Sequence, residues 1–452
     1  MRVYNKYPIT DSVLRWLETI LAERFGHTWH LSRGEHHFIL RLGGAEGTIV
    51  FDSMQDYFTE ARSDLPFSQW DAVHESWQSV LGGPLPAPGV ADLPTPLIES
   101  RRAEYVIHYD IFGLIYWMLA RVEEIGRTDL DKHGRFPATS SHALKHGYLD
   151  HPVVDEWLHV LGQVIQRHWP GVVIKRHAYQ MQLSHDVDRP SRYGFASTIN
   201  LLRRMVGDFS RGDLFYALAG PWVRLNTKLS LQPVDPFNTF NWIMDQSEKH
   251  GVTSAFYFIC GCTCDKLDAE YDIEHPAIRK LLRQIYNRGH EIGLHPSYNT
   301  YKDPAALKFE ADQLRRICSE EGIQQDAWGG RMHYLRWAQP ATLRAWSDAG
   351  MTYDSTLGYA DHAGFRCGTC FDYAGFDATQ SEILSVRVRP LILMEVSLFC
   401  DSYMRINQAS DAIDIISNMK NTCKLIGGNF TLLWHNSDLF SHTKKGIYNT
   451  IF

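Results

Sequence analysis

The sequence predicts an α/β protein in two parts: a smaller mixed α+β domain over residues 1–172 and a seven-stranded (β/α) barrel over residues 173–452. Three observations lead there. At 452 residues the chain is longer than one compact domain usually runs. Pro170-Gly171 interrupt it where the pattern changes. Beyond that point, apolar runs of strand length alternate with helical stretches, as parallel strands with right-handed crossovers require. Seven such units in the remaining 280 residues suit a barrel better than an open doubly wound sheet.

Residues 11–25 predict a helix, with Val13, Leu14, Leu17, Ile20 and Leu21 on one face. "HHFILRL" and "GTIVFD" read as short strands, and "LGGPLPAPGVADLPTPL" as an extended loop because proline and glycine crowd it. Helices follow at "DIFGLIYWMLARVEE" and "PVVDEWLHVLGQVIQRHW". After the break, the first barrel strand covers about residues 179–185 and ends at Asp186. A partly helical excursion then runs to about residue 234. Asp235-Pro236 read as N-cap and first-turn proline of a helix that Gly251 closes. "TSAFYFIC" is a strand, and Pro276 opens a helix that ends at Gly289. "HEIGLH" is the third strand, followed by a helix capped at Asp303-Pro304. "DAWGGRM" is the fourth strand, with a helix from Pro340 to Gly350 behind it. "MTYD", "LILMEVSLF" and "NFTLLWH" are the last three strands, the final two separated by a helix over about residues 409–423.

Composition excludes several classes. The hydrophobic fraction of 44% is that of a soluble globular protein. A net charge of −7 with no long basic run gives no reason to expect nucleic acid. No stretch of about 18 apolar residues is present to form an integral membrane segment, and the first 26 residues lack a signal peptide's apolar core, so a cytoplasmic location is expected. The eight cysteines fit a reducing compartment. "CGCTC" and "CGTC" are a poor match to structural zinc, which usually takes paired CxxC units.

Barrel chemistry gathers at the C-terminal ends of the strands, where the loops converge. The first strand here ends in "SHDVD", offering Asp186 and Asp188. Further strand ends offer His295, then Arg331 and His333, Asp354, Glu395 and His435. Any one of these is an ordinary polar terminus, especially with 22 histidines in the chain. Six strand ends carrying Asp, Glu, His or Arg together point to a shared site.

In their order, "SHDVD", "GHEIGLHPSYN", "GGRMHY" and "LLWHN" resemble the motifs of the polysaccharide deacetylases, carbohydrate esterase family four. The resemblance covers about residues 175–440. It implies a distorted (β/α) barrel that removes acetyl groups from an N- or O-acetylated saccharide or glycan precursor with a divalent metal, zinc above all, with cobalt, manganese or nickel as alternatives. Residue by residue, it implies Asp186 as general base, Asp188 and His295 as metal ligands, Arg331 as the arginine that orients the base, and His435 as general acid. Asp354 and Trp434 fall near the later motifs. Stretches of the first 172 residues, such as "DKHGRFPATSSHALKHGYLDHPVVDEW", resemble the domain that precedes such barrels in bacterial surface-polysaccharide gene clusters.

One position departs from that family. Its second metal histidine lies four residues after the first, and here that residue is Asn299. An amide oxygen is a poorer zinc ligand than imidazole. His333 and Asn299 therefore both stand as candidates for the third ligand. Asn299 also leaves room for a scaffolding protein that lost its metal. A glycosidase-type carboxylate pair of Asp186 and Glu395 is a further alternative, against which the adjacent Asp188 argues. Trp337, Tyr334, Tyr298 and Trp434 are either sugar-stacking or core aromatics, and Arg366 either holds an anionic substrate group or sits solvated in a loop.

Overall fold

The computed structural model describes residues 4–102 and 104–452. Among the described residues, seven strands precede residue 172: β1 (Trp29–Arg33), β2 (His37–Leu42), β3 (Thr48–Asp52), β4 (Phe67–Trp70), β5 (Leu85–Pro88), β6 (Ile98–Arg101) and β7 (Glu104–Ile107). Five of them form one sheet in the order β1-β2-β3-β7-β6, while β4 and β5 pair antiparallel on their own. The stretch expected to be an extended loop thus contains a strand, because its alternating prolines leave the backbone extended and Pro86 and Pro88 face β4 in register.

Helix Ile111–Leu119 runs through the centre of this region with every residue buried. Asp110 caps it by accepting from the Gly113 N–H at 2.6 Å. Helices Asp11–Phe25 and Val153–His168 form over the predicted spans, the first burying one face and the second buried on most sides. The helix expected through Glu124 stops early, because Arg121 takes a left-handed φ of 51°. That turn buries Arg121 beside Glu123 and Glu124.

The remaining nine strands form a single sheet: β8 (Gln180–Val187), β9 (Ser254–Phe258), β10 (Glu291–Leu294), β11 (Gly329–Gly330), β12 (Tyr353–Asp354), β13 (Tyr373–Asp377), β14 (Glu382–Val388), β15 (Leu393–Met394) and β16 (Asn429–Leu433). Their order is β13-β14-β12-β11-β10-β9-β8-β16-β15, parallel throughout except for the β13–β14 hairpin. This corrects the expected seven-stranded barrel. Among the described residues the sheet has nine strands, and its edge strands β13 and β15 do not pair with each other. The hairpin was missed although "EILSVRV" alternates buried and exposed residues as a half-covered strand should. "LILMEVSLF" contributes only two strand residues before turning helical at Glu395–Phe399. Asp235 is no N-cap either. The helix begins at Phe240, and buried Asp235 instead accepts from Ser191 and from the Arg192 N–H.

One buried charge network joins the two sheet regions. Arg366 is 3% exposed and donates to both oxygens of Glu124, at 3.0 and 2.6 Å. Arg121 donates to the same carboxylate at 2.8 Å and to the Arg366 carbonyl. Arg366 is therefore neither a substrate contact nor a solvated loop residue. Two guanidinium groups share Glu124, so removing that carboxylate strands buried charge. Glu124→Ala is expected to lower the unfolding free energy by about 3–5 kcal/mol, measured by urea denaturation.

Candidate metal centre

The register of the sheet decides which side chains meet. Ser184 of β8 pairs with Leu433 of β16, so two residues further on Asp186 and His435 emerge side by side. Leu294 of β10 pairs with Gly330 of β11, so His295 and Arg331 follow as neighbours. This last pairing needs glycine. A Cβ on Gly330 would lie 1.8 Å from the Leu294 carbonyl oxygen, and one on Gly329 would lie 2.1 Å from the Tyr353 ring. The double glycine lets β11 close between its neighbours and brings Arg331 under the site.

Asp188, His295 and His333 converge. Each offers one donor atom, and the three atoms lie within 4.8 Å of one another. His295 Nε2 is 3.2 Å from Asp188 Oδ1, and His333 Nε2 is 3.6 Å from the same oxygen. The far nitrogen of each ring is occupied. His295 Nδ1 faces the Arg331 carbonyl at 2.6 Å, and His333 Nδ1 faces Asp268 Oδ1 at 3.1 Å. With Nδ1 donating, both Nε2 lone pairs point at the carboxylate, the arrangement imidazoles adopt around a metal ion. Asp188 Oδ1 is buried and accepts no well-formed hydrogen bond. An orphaned carboxylate oxygen between two imidazole lone pairs fits a divalent cation of the zinc type. The charges agree. Burial works against the Asp188 carboxylate, yet His333, His295 and His435 hold it well below the usual carboxylate range. Burial likewise opposes a charged His333, but Asp188 and Asp268 outweigh it and push the imidazole up to about 9.

Two further groups flank this cluster. Arg331 is fully buried and donates to Asp186 Oδ1 at 2.8 Å, to Ser184 and Ser355 Oγ at 2.9 and 3.0 Å, and to the Ser355 carbonyl. Asp186 Oδ2 is left 3.7 Å from His295 Nε2. On the other side, Glu395 Oε1 accepts from the His435 N–H at 3.0 Å and sits 2.6 Å from its Nδ1. Burial disfavours a charged His435, but Glu395, with Asp188 and Asp186 behind it, pushes the imidazole up to about 10. His435 Nε2 stands 3.7 Å from Asp188 Oδ2.

These groups line a cavity of about 160 Å³, closed by Arg135, Tyr334, Leu335, Met394, Val396 and Tyr403. Tyr334 and Leu335 both hold left-handed φ values, 61° and 54°, which is strained for such side chains. Arg135 holds the turn by donating to the Tyr334 carbonyl at 2.8 Å, and to the Tyr403 hydroxyl at 2.9 Å.

Other expected site residues lie elsewhere. Asn299 is exposed and stands outside the cluster. Its amide donates to the Thr263 carbonyl at 2.9 Å and accepts from Arg336 at 3.1 Å. Asp354 does not line the cavity. It accepts from the Thr356 N–H at 2.9 Å and from Trp337 Nε1 at 3.1 Å, and burial pushes its carboxyl up to about 6. Thr356 in turn accepts from the Met332 N–H, so Asp354 braces the turn that carries Arg331. Trp337 and Trp434 are core aromatics and Tyr298 packs under Arg336, which leaves Tyr334 as the one of the four that faces the cavity. Three contributors escaped the sequence reading: Asp268, which aims His333, and Arg135 and Tyr403, which wall the cavity. Asp268 lies in an acidic loop with nothing in its spacing to single it out, and Arg135 belongs to the other sheet region.

Comparison with known proteins adds little chemistry. A family of unknown function, DUF7033, matches residues 5–170. No curated protein matches. Among solved structures, a protein from Mycobacterium smegmatis described as a polysaccharide deacetylase is similar at 15% identity and a TM-score of 0.40, covering 61% of this chain and 83% of that one. A Puue allantoinase is similar at 13% identity and a TM-score of 0.36, covering 72% of this chain and 89% of that one. Likenesses this distant carry no functional weight.

The geometry separates the two candidates for the third ligand. In titrations of the metal-free protein with zinc, His333→Ala is expected to weaken binding by more than the roughly 10–100-fold that loss of an orienting partner costs, and Asp268→Asn to fall within that range. Asn299→Ala is expected to leave affinity unchanged.

Proposed function

We propose that the protein is a metal-dependent hydrolase that removes acetyl groups from an N- or O-acetylated saccharide. The observation that carries the reading is the convergence of Asp188, His295 and His333 beside an arginine-held Asp186 and a glutamate-held His435. The acetyl and saccharide parts rest on the motif resemblance.

Asp188, His295 and His333 would hold the cation. Bound there, a divalent ion supplies Lewis acidity and lowers the pKa of a water from about 15.7 toward about 7. The chain's own residues supply the rest. Arg331 fixes one oxygen of Asp186 and leaves the other facing the cluster, where it accepts a proton from the attacking water. Glu395 keeps His435 protonated, so its Nε2 can deliver a proton to the leaving nitrogen or oxygen. Leu335, Met394 and Val396 offer an apolar wall that suits an acyl methyl group. The cavity is smaller than the roughly 300–1,000 Å³ of pockets that enclose whole small molecules. It takes the end of a ligand, with the body of the saccharide outside. The alternative of a scaffolding protein with a decayed site rests on Asn299, and on our reading His333 would supply the donor that residue does not.

The test is acetate release from a panel of N- and O-acetylated saccharides by zinc-loaded protein. Asp186→Asn is expected to lower kcat by about 10²–10⁴-fold while zinc affinity is retained. Release that survives both Asp186→Asn and removal of metal by a chelator would overturn the reading.

A further inference from the structure

Two helices are inserted between β8, the strand that carries Asp186, and β9: Thr198–Ser210 and Leu214–Asn226. They pack on each other through small and inward-facing groups. A Cβ on Gly220 would lie 3.2 Å from Met205 and 3.3 Å from the Tyr193 ring, so the contact is close. Asp208 anchors the pair, accepting from Arg192 Nε at 2.9 Å and from the Tyr193 hydroxyl.

The outward faces are apolar. Ile199, Leu202, Val206 and Phe209 follow helical spacing along the first helix and are 57–69% exposed. Leu214, Phe215, Leu218, Trp222 and Leu225 do the same along the second at 50–80%, and Leu229 follows at 71%. Ten of the eighteen exposed large apolar side chains among the described residues fall in this one stretch. An amphipathic helix normally turns such a stripe inward. Here the polar anchor, Asp208, is inside and the stripe outside, and apolar faces of this extent mark interaction surfaces.

Charge indicates the partner. Residues 189–229 carry Arg189, Arg192, Arg203, Arg204, Arg211, Arg224 and Lys228 against only Asp208 and Asp213. Seven cations over two carboxylates leave the stretch at +5, or +4 once Glu270, which pairs with Arg204, is counted, in a chain whose total is −7. A second copy docking by two-fold symmetry would set this positive face against itself. The other eight exposed large apolar residues are dispersed along the chain and offer no matching patch. Aromatic and aliphatic side chains on one face with arginine and lysine around them suit an anionic lipid surface. Among the described residues no helix is long and apolar enough to cross a membrane, so the contact is with the surface.

We propose that this helical pair docks the protein on the surface of an anionic lipid bilayer. The experiment is co-sedimentation of the full chain with phosphatidylcholine vesicles, with and without phosphatidylglycerol. The protein is expected to pellet with the anionic vesicles and to be released by high salt. Leu218→Asp combined with Trp222→Asp, both solvent-facing, is expected to reduce the bound fraction by about ten-fold or more, and Arg203→Glu with Lys228→Glu to do so on anionic vesicles. Far-UV circular dichroism and zinc uptake, unchanged in both variants, report that the fold is intact, and no readout uses catalysis. A chain that stays in the supernatant with every vesicle, or variants that bind as well as the parent, would overturn the proposal. So would a parent that sediments as a dimer which the Leu218→Asp/Trp222→Asp pair dissociates, since the face would then belong to a second copy.

Discussion

Two imidazole rings are aimed at one carboxylate by what holds their other nitrogens. That constraint organises the site. Were His295 Nδ1 not tied to the Arg331 carbonyl, or His333 Nδ1 not tied to Asp268, either ring could turn its N–H toward Asp188 and satisfy it as an ordinary hydrogen bond. As built, the Asp188 oxygen accepts no well-formed hydrogen bond and has the Nε2 atoms of both rings turned toward it. Such an arrangement costs free energy in a bare protein and becomes favourable when a cation fills it.

The fold serves this constraint in a traceable way. Parallel register sets Asp186 next to His435 and His295 next to Arg331. Two glycines without room for a side chain let β11 close against β10 and β12, and Asp354 braces the turn behind them through Thr356. Arg135 reaches across from the first sheet region to hold the strained turn at Tyr334. The shared Glu124 of Arg121 and Arg366 fastens that region in place. The first 172 residues therefore do more than precede the site. They supply part of its wall.

Much of this was legible in the chain, and the remainder was not for physical reasons. Strand ends rich in Asp, His and Arg were visible because six of them together exceed what ordinary polar termini would give. The long helices were visible because their apolar periodicity and caps are local. The strand count was not, since a two-residue strand such as β11 or β15 has no periodicity to read. The β13–β14 hairpin had a readable alternation in β14 but an unremarkable β13, where Gly375 stands in close contact with the Val386 carbonyl. Long-range pairs were hidden altogether. Nothing near Arg366 announces Glu124, some 240 residues away, and nothing near His333 announces Asp268. Asn299 and His333 both stood as candidates in sequence because their separation from His295 along the chain says nothing about which one turns inward.

The central claim is a coordination geometry, so it is tested most directly by observing the ion. X-ray absorption and anomalous diffraction on the zinc-loaded protein should place one ion at about 2.0–2.2 Å from an Asp188 oxygen and from Nε2 of His295 and of His333. An ion held instead by the Asn299 amide or by cysteine sulfur, or one that meets these three side chains only through water, would contradict the account.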